Sequence, residues 1–459
     1  MSKYRPYITD DGSIGLFSGD VNDVFHSRYG ALAEAYEKFV LPSGFDKYLQ
    51  DSQQLNVLDI CYGIGYNTKA LINEILNQKL KDKKAYIDSI HVDKNVNIDS
   101  NYIDTSDVDN NNDKNSLLSS DLNIADDFDN DLNCSQDKRF KDENILNLSQ
   151  LESTPLNLCK SDNKQETVIN IDALEYEKEF VYLSPLIKNN CYIDDYILDS
   201  YVNKIIFNAL LEDFPNEYLN ELKKYEIIKS HKKYFDLFLY LEAQKQPSRG
   251  CKDTIKSKLN ALLHNIYYRY ITNRVNSKSL RLLKTSYQNI SNRCLCDLYN
   301  IRFHLKFHFD DARKTIQTLD KKYDIIFLDA FTPSKLPTLW SIDFFTKLNP
   351  LLSDNGVLLT YSSSARIRNA LVSAGFHIGK VKLKSGEFTG TIAAKNSSKI
   401  AYPLSSKELG LLKTKSGLYY KDESLSSSPK AILDNLKADI ESSNLMTSSQ
   451  YLKGVQDEI

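Results

Sequence analysis

Short apolar runs recur along this chain, and stretches with helical periodicity follow most of them. The clearest runs are residues 56–60 (NVLDI), 323–328 (YDIIFL) and 357–361 (VLLTY). Runs of this length, rich in Val, Ile and Leu and bounded by polar residues, are typical of parallel strands buried on both faces. Residues 377–383 and 390–394 have the pattern of a closing hairpin. The alternation of strands and helices predicts an α/β fold around a mostly parallel sheet.

One long segment lacks this pattern. Residues 81–166 contain nineteen acidic and ten basic side chains and are rich in Asn, Asp and Ser. Such a composition does not bury enough apolar surface to offset the entropy that is lost on ordering. We therefore expect an acidic insertion that is mostly disordered, and the remainder of the chain is net positive.

Much of the positive charge falls in residues 252–293, where nine basic residues accompany one acid, Asp253. Apolar residues recur there at helical spacing, which predicts a helix with one buried stripe inside a largely helical insertion over 191–300. Its basic remainder is either a solvated helix face or a surface that contacts phosphates, with Arg269 and Arg274 as candidate contacts. Both interpretations stay open.

The first strand runs into a glycine turn, residues 61–68 (CYGIGYNT), and then into a helical pattern. Gly63 and Gly65 let the backbone turn tightly and approach a ligand without a clash from a Cβ atom. The third glycine of the dinucleotide fingerprint is missing, which argues against a pyrophosphate ligand and leaves adenosyl cofactors open. Asp59, in the same strand, joins the glycines as a candidate cofactor-binding residue.

The next strand should deliver an acid that binds the ribose of such a cofactor. Two similar segments compete for this position, residues 87–96 (IDSIHVDKNV) and 171–180 (IDALEYEKEF). The first has His91 where the second has Glu175. Because a carboxylate accepts hydrogen bonds from two hydroxyls and a neutral imidazole has one acceptor, we expect Glu175 to be the ribose ligand.

Two further strands each end at an acid. Residues 301–309 are followed by Asp310 and Asp311, and a helical pattern begins there. Asp311 is a candidate for binding the adenine amino group, an N-cap of the helix, or both. Residues 323–328 deliver Asp329 at the carboxyl end of a strand, where open α/β sheets bind ligands.

Asp329 begins a loop with two prolines, an aromatic residue and a lysine, residues 329–340 (DAFTPSKLPTLW). A carboxylate there suits an amine acceptor, because it can hold the N–H groups and receive a proton. Phe331, Pro333 and Lys335 are the candidate substrate-binding residues of this loop. The alternative is an aspartate that caps the next helix.

The cysteines argue for a reducing compartment. There are seven of them, without paired CxxC spacing, so we expect free thiols and a cytoplasmic protein. His304 and His308 lie in alternating, strand-like sequence, where structural histidines are commoner than zinc ligands, and we predict no metal site. The polar N-terminus gives no sign of a signal peptide, and no apolar run approaches the about 20 residues of a membrane span.

Together these segments resemble a known family, the tRNA wobble-uridine 5-aminomethyl-2-thiouridine methyltransferases, whose activity in many bacteria forms half of a bifunctional protein. The resemblance covers about half of the chain, in the order that the family has. The matching segments are residues 25–35 (FHSRYGALAEA), 57–67 (VLDICYGIGYN), 309–312 (FDDA), 326–340 (IFLDAFTPSKLPTLW), 359–368 (LTYSSSARIR), 374–376 (AGF) and 410–420 (GLLKTKSGLYY).

The resemblance implies a Rossmann-like class I fold with a mostly parallel seven-stranded sheet and insertions. It also implies that S-adenosyl-L-methionine is the cofactor and tRNA the partner, and that the 5-aminomethyl nitrogen of the wobble uridine (U34) is methylated. It assigns Asp329 as the acid of the catalytic loop, and Glu175 and Asp311 as adenosyl contacts. Glu34 matches the family's N-terminal acid and is expected near the cofactor.

These patterns divide the chain into an N-terminal β/α element that closes the active site (1–50), the first cofactor-binding strands (51–80 and 167–190) and a catalytic half (301–396). A C-terminal extension with a disordered tail is expected over 397–459. The sequence shows no second glycine fingerprint of the kind that a flavin-dependent half would contain. We therefore expect that a separate enzyme supplies the aminomethyl substrate. Two other interpretations remain: an aminopropyltransferase-like enzyme that acts on a small amine, and a catalytically silent binding relative.

Overall fold

The structure is a computed structural model that describes eight stretches of the chain: residues 4–11, 13–18, 23–24, 30–79, 166–186, 196–214, 216–218 and 300–456. The expected acidic insertion, apart from Glu166, lies outside the described residues. So does the basic region 252–293 with Arg269 and Arg274, and both expectations stay predictions.

The N-terminal part forms a small antiparallel sheet and a run of short helices. The strands are β1 (Tyr4–Ile8), β2 (Ile14–Ser18) and β3 (Asp23–Val24), paired in the order β1-β2-β3. The helical run comprises α1 (Ala31–Glu34), a π-helical segment (Ala35–Val40), α2 (Leu41–Ser43) and α3 (Phe45–Asp51).

The turn between β1 and β2 holds the start of α1. Ser13 Oγ accepts a hydrogen bond from the backbone N–H of Ala31 at 3.0 Å, and Asp11 Oδ2 accepts one from the N–H of Ala33 at 2.9 Å. These side chains satisfy donors that the first turn of a helix leaves without partners. They also fix the position of the helix that carries Glu34.

A seven-stranded sheet forms the centre of the structure. Its strands are β4 (Gln54–Ile60), β5 (Thr167–Leu174), β6 (Ile301–His308), β7 (Tyr323–Leu328), β8 (Leu352–Thr360), β9 (His377–Lys382) and β10 (Phe388–Ala394). They are ordered β6-β5-β4-β7-β8-β10-β9, and only β10 runs antiparallel to its neighbours. This confirms the predicted mostly parallel seven-stranded α/β fold.

The pairing of β4 decides which segment is the second strand. On one side β4 pairs with β5 in a continuous parallel register from Gln54↔Val168 to Ile60↔Leu174. On its other side it pairs with β7. Both edges of β4 are therefore occupied, and the strand that ends at Glu175 has the position for which residues 87–96 competed.

Helices cover both faces of the sheet. One face is covered by the N-terminal helices, by α4 (residues 66–79), by α5 (Lys178–Leu183) and by α6 (Tyr196–Asp213). The other is covered by α7 (Ala312–Thr315), α8 (Ile342–Leu348), α9 (Ala365–Ser373) and α11 (Pro429–Ser442). Successive strand residues point to opposite faces, so Val57 packs in the first core and Leu58 in the second. Among the described helices, none is long and apolar enough to cross a membrane.

The expectation of a disordered tail is wrong for most of the C-terminal extension. Residues 397–456 include α10 (Ser406–Leu412), α11 and α12 (Ser448–Gln456). Ile432 and Leu436 of α11 are buried in the core of the second face, and Ser428 caps its first turn. The Ser- and Lys-rich composition concealed two apolar positions at helical spacing, whose burial needs the catalytic half as a partner.

Candidate active site

The glycine turn follows β4 at the carboxyl edge of the sheet. The N–H groups of Cys61 and Tyr62 both donate to the carbonyl of Leu174 at 3.0 Å, which ties the turn to the end of β5. Cys61, Gly63 and Gly65 all have positive φ angles, of 65°, 56° and 85°. A Cβ atom on Gly65 would lie 2.3 Å from the Tyr62 hydroxyl, so the close packing of this turn requires glycine.

Glu175 braces this turn from the end of β5. Its Oε2 accepts a hydrogen bond from the N–H of Gly63 at 2.7 Å, and its Oε1 accepts one from the N–H of Glu177 at 3.0 Å. Burial raises the pKa of Glu175, and these backbone donors oppose the rise. Because each carboxylate oxygen can accept a second hydrogen bond, Glu175 can brace the turn and bind a ribose at once. The ribose contact stays a prediction.

Asp59 is a buried acid beneath the turn. Its Oδ2 accepts a hydrogen bond from the Thr68 hydroxyl at 2.6 Å, whereas its Oδ1 is buried without a hydrogen-bond partner. Burial raises the pKa of Asp59 to about 7, against the Thr68 hydrogen bond, and the charge of Glu175 adds to the rise.

Asp329 lies at the end of β7, beside the first turn of α4. Asn67 Nδ2 donates to Asp329 Oδ2 at 3.1 Å, a contact that the sequence analysis missed. Burial and the charge of Glu34 raise the pKa of Asp329 to about 7, and the Asn67 hydrogen bond and the Lys38 charge oppose the rise. Lys38 also forms an ion pair of 2.6 Å with Glu34, one helical turn away. Asp329 does not act as a helix cap, because the next long helix, α8, has Ser341 as its N-cap.

The loop after Asp329 is fixed by aromatic side chains. The Tyr361 hydroxyl donates to the carbonyl of Ala330 and Trp340 Nε1 donates to that of Phe331, both at 2.9 Å. Trp340 and Tyr361 pack edge to face, with ring centroids 5.7 Å apart. The candidate substrate residues therefore lie on a backbone that is held at its start: Phe331 and Pro333 are half-buried and Lys335 is exposed.

Asp311 is the N-cap of α7, which confirms one of its two expected roles. Its Oδ1 accepts a hydrogen bond from the N–H of Arg313 at 2.9 Å, and its Oδ2 pairs with the Arg313 guanidinium at 2.6 Å. The same guanidinium contacts the buried carboxylate of Asp422 at 2.8 Å. The C-terminal extension thus fixes the side chain that holds Asp311, and contact of Asp311 with adenine stays a prediction.

The predicted acids converge on one place. The pKa of the Cys61 thiol is raised by burial and then by the charges of four carboxyl groups, namely those of Glu175, Asp329, Asp59 and Asp311. Such charge effects decay with distance, so these groups, which four different strands deliver, share the carboxyl edge around the glycine turn. The fold therefore brings together the acids that the sequence analysis selected, with Glu34 beside Asp329.

The carboxyl edge of the sheet around the glycine turn suits a ligand that is cationic and rich in hydrogen-bond donors. In the described part of the chain, Asp59, Glu175 and Asp329 form no salt bridge, and a cation near these carboxyl groups would stabilise their ionised forms. Asp59 Oδ1 and Asn67 Oδ1 are buried acceptors without partners, and buried acceptors of this kind are costly unless a donor reaches them. The ammonium, sulfonium and ribose hydroxyls of S-adenosyl-L-methionine supply this combination, so the residues fit that cofactor.

Comparisons with known proteins agree with this chemistry. Residues 276–396 match a family described as S-adenosyl-L-methionine-dependent methyltransferase. An uncharacterized protein of Methanocaldococcus jannaschii is 41% identical over 93 residues, which are 20% of this chain and 26% of that protein. The tRNA 5-methylaminomethyl-2-thiouridine biosynthesis bifunctional protein MnmC of Burkholderia vietnamiensis is 37% identical over 87 residues, 19% of this chain and 13% of that protein.

The matched part thus spans about a quarter or less of these relatives' lengths. The crystal structure of MnmC2 from Aquifex aeolicus aligns with 96% of this chain and 86% of that chain, at 17% identity and a TM-score of 0.46. The family match falls on the strands that deliver Asp311 and Asp329 and on the loop between Asp329 and Trp340. Residues 276–396, on which part of this site lies, therefore match the S-adenosyl-L-methionine-dependent methyltransferase family, and part of the chain is similar to the MnmC proteins.

Proposed function

We propose that this protein methylates the 5-aminomethyl group of the wobble uridine, U34, in tRNA and produces the 5-methylaminomethyl form. The matched MnmC proteins carry 5-methylaminomethyl-2-thiouridine biosynthesis in tRNA in their names. The observation that carries the proposal is the carboxyl group of Asp329. It lies at the carboxyl edge of the sheet, accepts a hydrogen bond from Asn67 and has a pKa that burial and the charge of Glu34 raise to about 7.

A carboxyl group of this kind suits a primary amine acceptor. The bound cofactor supplies a methyl group on a positively charged sulfur. The acceptor nitrogen must lose a proton before its lone pair can form the N–C bond, and Asp329 accepts that proton. With a pKa near 7, Asp329 is a stronger base than an ordinary aspartate and is still substantially ionised at neutral pH. The bond between the methyl carbon and the sulfur would break as the N–C bond formed, and the sulfur would leave as a neutral thioether.

Neighbouring residues position the reactants. Asn67 holds one oxygen of Asp329, which leaves the other oxygen for the ammonium group of the substrate. Glu34 adds negative charge, which favours a cationic substrate over a neutral one. The fixed loop presents Phe331 and Pro333 to the uracil ring, and Lys335, Arg269 and Arg274 are the proposed phosphate contacts.

The cofactor contacts are part of the same proposal. Gly63 and Gly65 form the turn on which the adenosyl group lies, Glu175 binds the ribose hydroxyls, and Asp311 binds the adenine amino group. Asp59 lies below the turn and accepts a hydrogen bond from the cofactor through its free oxygen. A separate enzyme provides the aminomethyl uridine.

The test is transfer of a labelled methyl group. The pure protein is incubated with S-adenosyl-L-methionine, labelled at the methyl group, and with tRNA that carries 5-aminomethyl uridine. We expect the label in tRNA, and nucleoside analysis should find 5-methylaminomethyl uridine. The same tRNA in the fully methylated form is the matched control and should accept no label.

Two further arms test the other interpretations. An aminopropyltransferase would consume decarboxylated S-adenosylmethionine with a small diamine and would leave tRNA unlabelled. A silent relative would bind the cofactor in calorimetry and transfer nothing in any arm. Either result would refute the proposed reaction.

A further inference from the structure

The outer edge of the sheet carries exposed aromatic and basic side chains. Phe388 at the start of β10 is 47% exposed, and Tyr402, which follows β10, is 41% exposed. Their rings pack edge to face, with centroids 5.3 Å apart. With Lys382, whose Nζ lies 5.6 Å from the centre of the Tyr402 ring, and the exposed Lys384 two residues further along the chain, they form a surface that we call the edge patch.

The edge patch is exposed to solvent, and backbone contacts hold the residues that carry its two aromatic rings. Phe388 pairs with Lys382 in the β9–β10 register, and the Tyr402 carbonyl accepts a hydrogen bond from the N–H of Lys380 at 2.8 Å. A Cβ atom on Gly379 would lie 2.6 Å from that carbonyl oxygen, so a glycine allows residue 402 to lie close against β9. The backbone that carries the two rings is therefore held in place, and a lysine lies near each ring, Lys380 at 4.7 Å from the centre of Phe388 and Lys382 at 5.6 Å from that of Tyr402.

The patch has an excess of positive charge. Residues 377–402 contain five lysines and one glutamate. Lys380 forms an ion pair with Glu408 at 3.0 Å, and Lys395 lies 3.8 Å from Asp354. In the described part of the chain, no salt bridge includes Lys382 or Lys384.

The patch lies on the same edge of the sheet as Asp329. Strand β8 runs parallel to β7 and ends at Thr360, which pairs with Thr391 of the antiparallel β10. Phe388 precedes Thr391 and so lies beyond the end of β8, at the carboxyl edge. Three strand spacings separate β7 from β9, which is about 14 Å. A strand of nucleic acid with one base at Asp329 can span this distance with its neighbouring nucleotides.

We propose that the edge patch binds single-stranded nucleotides that flank the base whose amine enters the active site. Exposed aromatic rings that alternate with cations are the surface on which single-stranded nucleic acid binds, because bases stack on the rings and phosphates contact the cations. The charge excess favours a polyanion over an apolar protein partner. This inference rests on the proposed tRNA substrate and adds a second contact region to it.

The test compares substitutions in the patch with matched substitutions at the opposite edge of the sheet. Phe388→Ala should weaken tRNA binding about tenfold, as expected for the loss of one stacked base. The double variant Lys382→Gln/Lys384→Gln should lower the slope of log affinity against log salt by about 0.7 for each lost phosphate contact. In both variants the KM for tRNA should rise and the calorimetric affinity for S-adenosyl-L-methionine should not change. Phe388→Tyr, which keeps an aromatic ring at this position, should bind tRNA about as tightly as the wild type.

The controls are Val372→Ala and Lys322→Gln. Val372 is 43% exposed near the end of α9, and Lys322 is an exposed cation that precedes β7, so both lie near the amino edge. They should change neither tRNA affinity nor its salt dependence.

The outcomes separate this inference from the proposed function. If the wild type methylates tRNA but Phe388→Ala and the double lysine variant bind it with unchanged affinity and salt slope, the edge patch is overturned and the proposed function stands. If the wild type neither binds nor methylates tRNA, the proposed function fails and the edge patch fails with it.

Discussion

Replacing Asp329 with asparagine tests the mechanism most directly. The amide keeps the shape of the side chain and one oxygen that can accept the hydrogen bond from Asn67, but it has no charge and no basicity. We expect methyl transfer to tRNA to fall by about 10² or more, the range that follows the loss of a general base. Binding of S-adenosyl-L-methionine should change by only a small factor, because Glu34, Asp59 and Glu175 remain. Single-turnover transfer of a labelled methyl group and calorimetry measure the two quantities.

The pH dependence gives a second measure of the same group. Because the pKa of Asp329 is raised to about 7, the carboxylate form increases as pH rises through neutrality. Wild-type turnover should therefore rise through about pH 7, and the Asp329→Asn variant should lack this inflection.

The stability of the folded protein should fall over the pH range in which turnover rises. A carboxyl group whose pKa is higher in the folded than in the unfolded state binds its proton more tightly when folded, so stability falls as pH rises from about 4 to about 7. A rise of the pKa from 3.8 to about 7 corresponds to at most about 4 kcal/mol. Without cofactor at pH 8, Asp329→Asn should be more stable than the wild type, by up to this amount. If Asp329→Asn methylates tRNA at a near wild-type rate, the assignment of Asp329 as the base is refuted.

Three further predictions concern the cofactor site and the insertion. Glu175→Ala should weaken binding of S-adenosyl-L-methionine about tenfold to a hundredfold, as expected for lost hydrogen bonds to a charged group. Asp93→Ala should have little effect in the same calorimetric titration. The reverse order would contradict the assignment of Glu175 as the ribose ligand. Asp422→Asn should raise the Kd of the cofactor and leave the KM for tRNA unchanged. The substitution weakens the contact that holds the Arg313 side chain, and Arg313 in turn holds Asp311. Equal effects on both constants would indicate a general loss of structure. Deleting residues 88–163 and joining the ends with a short Gly/Ser bridge should preserve cooperative unfolding and cofactor binding, and loss of either would mean that the segment has a structural role.

Local patterns were sufficient for the strands and for the acids at their ends. Asp329 could be selected because it directly follows a continuous apolar run, and parallel strands bring their carboxyl ends to one edge of the sheet. Gly63 and Gly65 could be selected because a tight turn between a strand and a helix requires glycine. The choice of Glu175 over His91 came from the acceptor capacity of the two side chains, and the pairing of β4 with Thr167–Leu174 agrees with it.

Contacts between distant parts of the chain had no local signal. Asn67 and Asp329 are 262 residues apart, and Arg313 and Asp422 are 109 residues apart. Asn67 is an ordinary residue in the first turn of a helix until the order β4-β7 brings it beside the end of β7. The ordered tail was missed for the same reason, since Ile432 and Leu436 are buried only against the core of the catalytic half.

By itself, the sequence determined which segments form strands, which residues turn the chain and which acids reach the carboxyl edge, because each of these depends on neighbours within a few positions. The tertiary structure alone decided how those acids behave. Burial, the charge of Glu34 and the amide of Asn67 together set the pKa of Asp329 at about 7. The pKa of an ordinary aspartate is thereby moved to near neutrality, because desolvation and nearby charge depend on which elements pack together and not on their order along the chain.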